Sequence, residues 1–531
     1  MDAYSICRTS PARHSSSPIY RDLRVALACK PNGRDSTVGV PPMQPVEPGH
    51  SKRRPSSAIN AHVGIIGAGL SGLRCADILL ARGFKVTILE ARDRIGGRVH
   101  QQQLANGHNV DLGPNWIHGT DDNPFISLAS ETNTAVGRYD NNSWVYMPSG
   151  SLLPPEEGER YSSLVWDIVQ EAFEHSNDSD TEIPVDKSLR DFFEERIPHI
   201  IPYTDPDSDK KRRILTDMAE MWGAFLLRDW HHEADPVPEN LFCAGTYKKI
   251  LKLVADAALN GADIRFNSKA TQICYANSGS NVNVTLEDGS RFQFDEVVAT
   301  MPLGWLKRNP DAFLPPLPPR LSHAISSIGY GCLEKVYISF PRAFWRHDGQ
   351  GRSVNGFIQW LVPEYALDSN PHRWYQEAVE LASLEGQDAH PTLLFYMFGA
   401  QSQYLTGTLA TLKTGHDRSD FLRDFFEPYY SRLPNYRAAA EDCQPVEFVA
   451  TEWSNDELAG HGSYCNFQVG LVAGDRDIET MREGLPAQHL WFAGEHTAPF
   501  VALGTATGAY WSGEMVGKRI AEAHGASIEQ C

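Results

Sequence analysis

The most constraining feature of this sequence is an apolar run, Val63–Ile66, that leads directly into a glycine-rich turn. In such a turn Gly67 permits a tight bend, Gly69 lets the backbone approach a pyrophosphate, and Gly72 lets the next helix pack closely on the strand. The N-terminus of that helix offers free N–H groups and the positive end of a dipole to phosphates. The segment therefore predicts a dinucleotide-binding site.

The continuation of this unit gives the turn its structural context. A helical pattern runs to about Arg82, and a second apolar run, Lys85–Leu89, ends at Glu90. An acid at this distance from the glycines is placed to accept hydrogen bonds from ribose hydroxyls. Because strand, turn, helix, strand and acid follow one another within one βαβ unit, a glycine turn without a ligand is the less favoured interpretation.

The residues after Glu90 narrow the choice of dinucleotide. The loop Ala91–Arg98 adds arginines and a glycine pair just past the ribose position. With this loop the chain resembles the flavin-dependent amine oxidases, the family of the monoamine and polyamine oxidases. The resemblance implies FAD, with Glu90 on the adenine ribose and with Arg92, Gly97 and Arg98 as further cofactor contacts. For either arginine alone, a solvated loop charge is the alternative.

A second cofactor segment lies near the C-terminus. A short strand runs into Gly494 and Glu495, and a helical pattern follows over Thr505–Ile520. The resemblance implies that Glu495 contacts the ribityl chain. We also count Gly494, and Ala270 at the start of a predicted strand, among the cofactor contacts. An N-terminal capping cluster without a ligand is the alternative for the C-terminal turn.

Lys335 lies in an apolar stretch that predicts a strand, Leu333–Phe340. The two-residue period of a strand places Lys335 on the same face as Leu333 and Tyr337. Burying an ammonium group costs several kcal/mol unless it is paired or neutral, so an inward lysine needs a reason. The resemblance implies that it holds a water beside flavin N5; a lysine reaching solvent from an edge strand is the alternative.

Tyr464 matches the aromatic residue that flanks the substrate nitrogen in this family. Monoamine oxidases carry a flavin-linked cysteine just before it, where this chain has Ser463, so non-covalent FAD is expected; Cys465 lies on the wrong side of the tyrosine. The second aromatic of the monoamine oxidase cage is expected near Thr505 or Thr507, and neither is a tyrosine. These departures favour the polyamine oxidase branch.

The stretch Asp111–Gly119 resembles the loop that covers the flavin in polyamine oxidases. The resemblance implies that its polar residue, His118, helps to bind the amine chain of the substrate. A structural hydrogen bond is the alternative for a lone histidine. Together, Lys335, Tyr464 and His118 are the predicted catalytic residues.

Composition and charge limit which other classes of protein this chain can belong to. The net charge of −19 argues against nucleic-acid binding and favours the approach of a cation. No apolar stretch is long enough to predict a membrane span. The nine cysteines show no CxxC pair or zinc spacing, which predicts reduced thiols and no metal site. We expect an intracellular, cytoplasmic protein, while mitochondrial and peroxisomal locations stay open.

The order of patterns predicts an α/β fold. A Rossmann-like FAD-binding domain of the glutathione reductase type is expected from residues 61–119, 241–302 and 450–525. An α+β substrate domain is expected from 120–240 and 303–449. Residues 1–60, rich in Ser, Pro and Arg, predict a disordered leader. Loop signals over Arg346–His390 predict an insertion.

The resemblance implies an oxidase of amines, with polyamines or their acetylated forms as substrates. A C–N bond would be oxidised by hydride transfer to flavin N5, and O₂ would be reduced to H₂O₂. An L-amino-acid oxidase-like enzyme and a catalytically inactive flavin-bearing binding protein stay open as alternatives. Histone demethylases share the catalytic domain, but their helical module and coiled-coil insertion have no counterpart in the sequence pattern.

Overall fold

A computed structural model describes residues 61–138, 143–179, 182–220, 240–275, 281–349 and 351–526. The predicted leader, residues 1–60, lies outside the described residues. The strands are β1 (His62–Ile66), β2 (Lys85–Leu89), β3 (Gln101–Gln103), β4 (Asn109–Asp111), β5 (Trp116–Ile117), β6 (Ser143–Tyr146), β7 (Leu241–Phe242), β8 (Asp263–Arg265), β9 (Ala270–Cys274), β10 (Val282–Leu286), β11 (Arg291–Phe294), β12 (Glu296–Ala299), β13 (Phe313–Leu314), β14 (Gly329–Gly331), β15 (Leu333–Ser339), β16 (Phe357–Trp360), β17 (Gln376–Glu380), β18 (Thr392–Phe398), β19 (Glu447–Ala450), β20 (Tyr464–Asn466) and β21 (Leu490–Phe492).

Helices connect and cover these strands. They are α1 (Leu70–Leu80), α2 (Pro124–Glu131), α3 (Pro155–Ser179), α4 (Leu189–Ile200), α5 (Ser208–Met218), α6 (Lys248–Gly261), α7 (Leu303–Arg308), α8 (Pro319–Ser327), α9 (Gly399–Thr411), α10 (Gly415–Tyr430), α11 (Gly474–Glu483) and α12 (Ala506–Ala523). The fold is therefore mixed α/β.

A five-stranded parallel sheet carries the predicted nucleotide motif. Its order is β21-β12-β1-β2-β8, so the first and last sequence motifs enter the same sheet. Helices α1, α6 and α12 pack on one face. The other face packs against the four-stranded sheet β11-β10-β9-β13. Because both faces are covered, β1 and β12 are almost wholly apolar, as buried parallel strands require.

A six-stranded sheet, β19-β15-β18-β17-β16-β6, carries Lys335. Its pairs are antiparallel except β16 with β6, which is parallel. One face packs against α9 and α10. On the other face one apolar cluster involves α3 to α5 and a second involves β4 and β7. Side chains alternate between these faces along β15, which puts Tyr337 opposite in direction to Val336.

The elements of the nucleotide motif form where the patterns predict them, with small shifts at their ends. The expectation that Arg346–His390 is an insertion stays a prediction, but this range is not a loop throughout, because β16 and β17 lie inside it and form interior strands of the six-stranded sheet. Their flanking Gly- and Asp-rich loops dominate the sequence pattern there and hide two short strands. Within the described residues, no helix combines the length and apolarity that crossing a membrane requires.

Candidate active site

The glycine turn between β1 and α1 leaves room for a ligand at one position and closes at the others. Gly67 has φ +111°, which favours glycine, and a Cβ on Gly72 would lie 2.1 Å from the carbonyl oxygen of Gly67. A Cβ on Gly69, by contrast, would meet nothing within 4 Å. Gly69 is also the N-cap of α1 and offers no side-chain cap. The backbone N–H groups of the first turn are thus left for an anion in the open space beside Gly69.

Glu90 is buried at the end of β2 and organises the adjoining loops. Its Oε2 accepts a hydrogen bond of 2.7 Å from the N–H of Ala68, and its Oε1 accepts one of 2.8 Å from Arg92. Its carbonyl oxygen accepts from the N–H of Ser268 at 2.8 Å. This last bond brings the start of β9, with Ala270, to the same edge as the glycine turn.

Arg98 and Glu495 come from opposite ends of the chain and form one ion pair. Nη1 of Arg98 lies 3.0 Å from Oε1 of Glu495 and also donates to the carbonyl oxygen of Ser463 at 2.6 Å. Burial alone would lower the pKa of Arg98, but Tyr330 and Glu495 raise it above its ordinary value. Burial would raise the pKa of Glu495, but Arg98 holds it below its usual range. Both side chains are therefore charged.

Arg92 does not join this pair. Its Nη2 donates to both carboxylate oxygens of Asp456, at 2.8 and 3.0 Å. The structure thus pairs the guanidinium of Arg92 with a protein carboxylate, and its predicted role beside the phosphates stays a prediction.

The turn after β21 contains a buried histidine, His496, whose polar atoms call for hydrogen-bond partners. His496 is fully buried, and within the described part of the chain neither ring nitrogen has a hydrogen-bond partner. Burial lowers the pKa of His496 to about 4, so the ring is neutral. Gly494 has φ +153° and its backbone passes against this ring. A buried polar atom normally has a hydrogen-bond partner. A bound dinucleotide would supply partners for the ring nitrogens of His496 and for the N-terminus of α1, and it would fit the open space at Gly69.

Lys335 is buried on β15 and donates a hydrogen bond from Nζ to the carbonyl oxygen of Gly113. Burial lowers the pKa of Lys335 to about 7, against the opposing influence of Asp111 and Glu334. Burial also raises the pKa of Asp111 to about 7. Both shifts have one cause, the penalty that a dry environment places on charge. The lysine side chain does not reach bulk solvent, so the edge-strand alternative is excluded.

The loop at Lys335 is tied to the sheet by a hydrogen-bond network that the sequence did not reveal. Nδ2 of Asn115 donates to the hydroxyl of Tyr337 at 3.1 Å, and its Oδ1 accepts from the hydroxyl of Tyr396 at 3.1 Å. Nε1 of Trp116 donates to that same hydroxyl of Tyr396 at 3.1 Å. The two-residue period places Tyr337 on this face, but only the pairing of β15 with β18 brings in Tyr396.

Tyr464 lies on β20, which pairs with β14 immediately before the strand of Lys335. Oγ of Ser463 accepts from the N–H of Leu333 at 2.8 Å, which fixes the two strands to each other. A Cβ on Gly504 would lie 3.2 Å from the Tyr464 ring, so the glycine lets the chain pass close to it. Burial raises the pKa of Tyr464 to about 12, and the ring keeps a neutral hydroxyl.

The positions near which a second cage aromatic was expected have other functions. Oγ1 of Thr505 caps α12 by accepting from the N–H of Gly508 at 2.9 Å. Oγ1 of Thr507 donates to Oδ1 of Asn123 at 3.2 Å. Neither threonine supplies a ring beside Tyr464.

His118 is an exposed residue, yet desolvation by the protein atoms around its ring lowers its pKa. A hydrogen bond with Asn240 partly opposes that shift. His118 also follows directly from the loop that Asn115 and Trp116 anchor to the six-stranded sheet.

A protein family and several individual proteins are similar to this chain. A family model described as flavin containing amine oxidoreductase matches residues 70–521. The chain is 26% identical to human lysine-specific histone demethylase 2, over 88% of this chain and 54% of that protein. It is 27% identical to polyamine oxidase 3 of Oryza sativa subsp. japonica, over 88% of this chain and 90% of that protein. Polyamine oxidase 4 of the same rice is 26% identical, over 85% and 86% of the two chains. The chain thus spans about half the length of the demethylase it matches.

Proposed function

The chain belongs to the family of flavin-containing amine oxidoreductases, whose cofactor is FAD, and on this premise we propose that it is an oxidase of polyamines or their acetylated forms. We infer further that FAD is held without a covalent bond, because Ser463 occupies the position before Tyr464 and Sγ of Cys465 is engaged by Oε2 of Glu495 at 2.7 Å.

One observation carries this proposal. A continuous set of hydrogen bonds runs from Glu495 to Arg98, from Arg98 to Ser463, and from Ser463 to the strand of Lys335. Lys335 in turn bonds the loop that ends in His118. Segments from both ends and the middle of the chain therefore lie together, which supports a shared site for a flavin and an amine.

Different residues of the chain would bind FAD, order a water and orient the amine. FAD, when bound, supplies the hydride acceptor and the route of electrons to O₂. Glu90, the turn glycines and the N-terminus of α1 would hold its nucleotide half, and Arg98 with Glu495 would hold its ribityl side. Lys335, whose pKa is lowered by burial, would order a water at the reacting end. Tyr464 and His118 would orient the amine.

The relatives and the charge of the chain support a polyamine substrate. Two rice polyamine oxidases are 26–27% identical to the chain. Its net charge of −19 attracts polycations. Methylated lysine in a peptide is the second candidate substrate, because the demethylases match at the same identity.

The sheet order and the split of sequence segments between the two large sheets support a glutathione reductase-type FAD domain interleaved with a substrate domain. We propose this division at the boundaries predicted above, and a cytoplasmic location for the protein.

The deciding experiment mixes the purified yellow holoenzyme anaerobically with a panel of amines and follows bleaching of the flavin band. Spermine, N-acetylspermidine, an L-amino acid and a dimethyl-lysine peptide separate the candidate activities. We expect rapid bleaching by a polyamine or its acetylated form. Bleaching only by the peptide would establish the demethylase activity, and bleaching only by the amino acid would establish the amino-acid oxidase activity. If none of these compounds bleaches the flavin, a binding role would be favoured.

A further inference from the structure

A row of polar residues crosses the six-stranded sheet on the face that carries Lys335. Strand register places Lys335 opposite Tyr396, Tyr396 opposite Glu377, and Glu377 opposite Gln359. Residues in direct register share a face of the sheet. This row separates the two apolar clusters of that face, one with Tyr337 and Val379 and the other with Tyr375 and Leu361.

Glu377 is a buried carboxylate without a cation. Only 5% of the residue is exposed, and Oε2 accepts both of its hydrogen bonds, at 3.0 Å from Nε2 of Gln359 and at 2.8 Å from the hydroxyl of Tyr375. Among the described residues, no lysine or arginine forms an ion pair with Glu377. Burial accordingly raises its pKa above the ordinary value. Such a carboxylate is costly unless a positive charge joins it.

Gln359 adds an unsatisfied acceptor beside this carboxylate. Its amide nitrogen donates to Glu377, while its Oε1 is buried and has no hydrogen-bond partner in the described ranges of the chain. Both neighbouring donors, Nε2 of Gln359 and the hydroxyl of Tyr375, are already bonded to Glu377, so what the site still offers is an acceptor. A primary ammonium group, with three donors and one positive charge, is the complementary chemistry.

The acceptors lie on the same row as the reacting end. Neighbouring strands are about 4.8 Å apart, which places Glu377 about 10 Å along the sheet from Lys335. Tyr396 lies between them: its ring centroid is 5.8 Å from Nζ of Lys335, and its hydroxyl bonds Asn115 and Trp116 of the loop before His118. A carbon chain of several methylenes spans this interval.

We propose that Glu377, together with Gln359, binds a second, non-reacting ammonium group of the substrate and so selects an unbranched diammonium or longer polycation. This inference rests on the proposed function only in taking Lys335 as the reacting end. It makes Glu377 a specificity-determining residue.

The test uses binding to the holoenzyme, which needs no turnover. Calorimetry would give Kd for diaminooctane and for octylamine, which lacks the second ammonium, with the wild type and Glu377→Gln. We expect Glu377→Gln to weaken the binding of diaminooctane by about 10- to 100-fold, which is the value of a hydrogen bond to a charged group. The binding of octylamine should weaken by less than about 3-fold. Glu380→Gln is the matched control, because it makes the same change on the same strand toward the opposite face, where Oε2 of Glu380 accepts from Trp345 at 3.2 Å. It should alter neither Kd.

Equal weakening of both amines, no weakening, or no binding of diaminooctane by the wild type would overturn the proposal. If Glu377→Gln does not fold, Gln359→Met must show the same selective loss of diaminooctane. Selective loss in an enzyme whose flavin no amine bleaches would support the ammonium site and reject the oxidase. Bleaching of the flavin by polyamines, together with an unchanged Kd for diaminooctane in Glu377→Gln, would support the oxidase and reject the ammonium site.

Discussion

Nη1 of Arg98 lies 3.0 Å from Oε1 of Glu495, across 397 residues of sequence. The pair joins the loop after β2 to the turn after β21, and β12 and β1 lie between these two strands in the parallel sheet. Because each charge compensates the other in a buried setting, the closure of the proposed cofactor site and the stability of the fold depend on the same contact.

Glu495→Gln should therefore affect both stability and FAD. It leaves Arg98, whose side chain is 22% exposed, without its charged partner, and losing a hydrogen bond to a charged group costs about 1.5 to 3 kcal/mol. We expect a lower free energy of unfolding in urea and release of FAD on gel filtration. Glu514→Gln, which weakens the partly exposed pair with Arg74 between α12 and α1, should cost about 1 kcal/mol or less and keep FAD. Full FAD retention by Glu495→Gln would contradict the assignment.

The glycine turn allows binding and folding to be separated. Gly69→Ala adds a Cβ where the protein has open space, so the apoprotein should keep its Tm. The same methyl would meet the pyrophosphate, so affinity for FAD should fall by tenfold or more in titrations of apoprotein. Gly72→Ala must displace the backbone at Gly67 and should lower the Tm of the apoprotein. Unchanged FAD affinity in Gly69→Ala would remove this turn from the site.

Lys335→Met keeps the length of the side chain but removes its ordered polar end. We expect FAD to stay bound while flavin reduction or reoxidation slows by at least tenfold, measured separately by anaerobic and aerobic stopped flow. Lys249→Met removes a lysine that donates to the carbonyl oxygen of Asn133 at 3.2 Å on the exposed surface, and both rates should stay at wild-type values. Unaltered rates in Lys335→Met would place the lysine outside the reaction.

The buried lysine also predicts a pH-dependent stability. Its pKa falls from 10.5 to about 7 on folding, so between these values the unfolded state binds more protons than the folded state. The contribution of Lys335 to the free energy of unfolding should then rise as pH increases from about 7 to 10.5. Urea unfolding of the wild type and Lys335→Met across this range measures it. A difference between the two proteins that does not change with pH would contradict a buried, neutral lysine.

The local elements of the nucleotide unit could be read from the amino-acid pattern alone. The positive φ of Gly67 and the contact of Gly72 with the carbonyl oxygen of Gly67 arise within the turn itself, and such short-range constraints leave a pattern in the chain. The two-residue period likewise gave the shared face of Lys335 and Tyr337. Family resemblance added Glu495 and Tyr464, which no local pattern identifies as partners of Arg98 or Lys335.

Which of these groups meet depends on the way the distant segments pack. Packing paired Arg98 with Glu495, Arg92 with Asp456, and Lys335 with the carbonyl oxygen of Gly113. It also put Glu377 and Gln359 on the row of Lys335, although their strands lie in a stretch that resembles an insertion. The reason is physical: strand order and register are set by the packing of whole apolar faces, and a single polar residue leaves no trace of its register partner in the sequence.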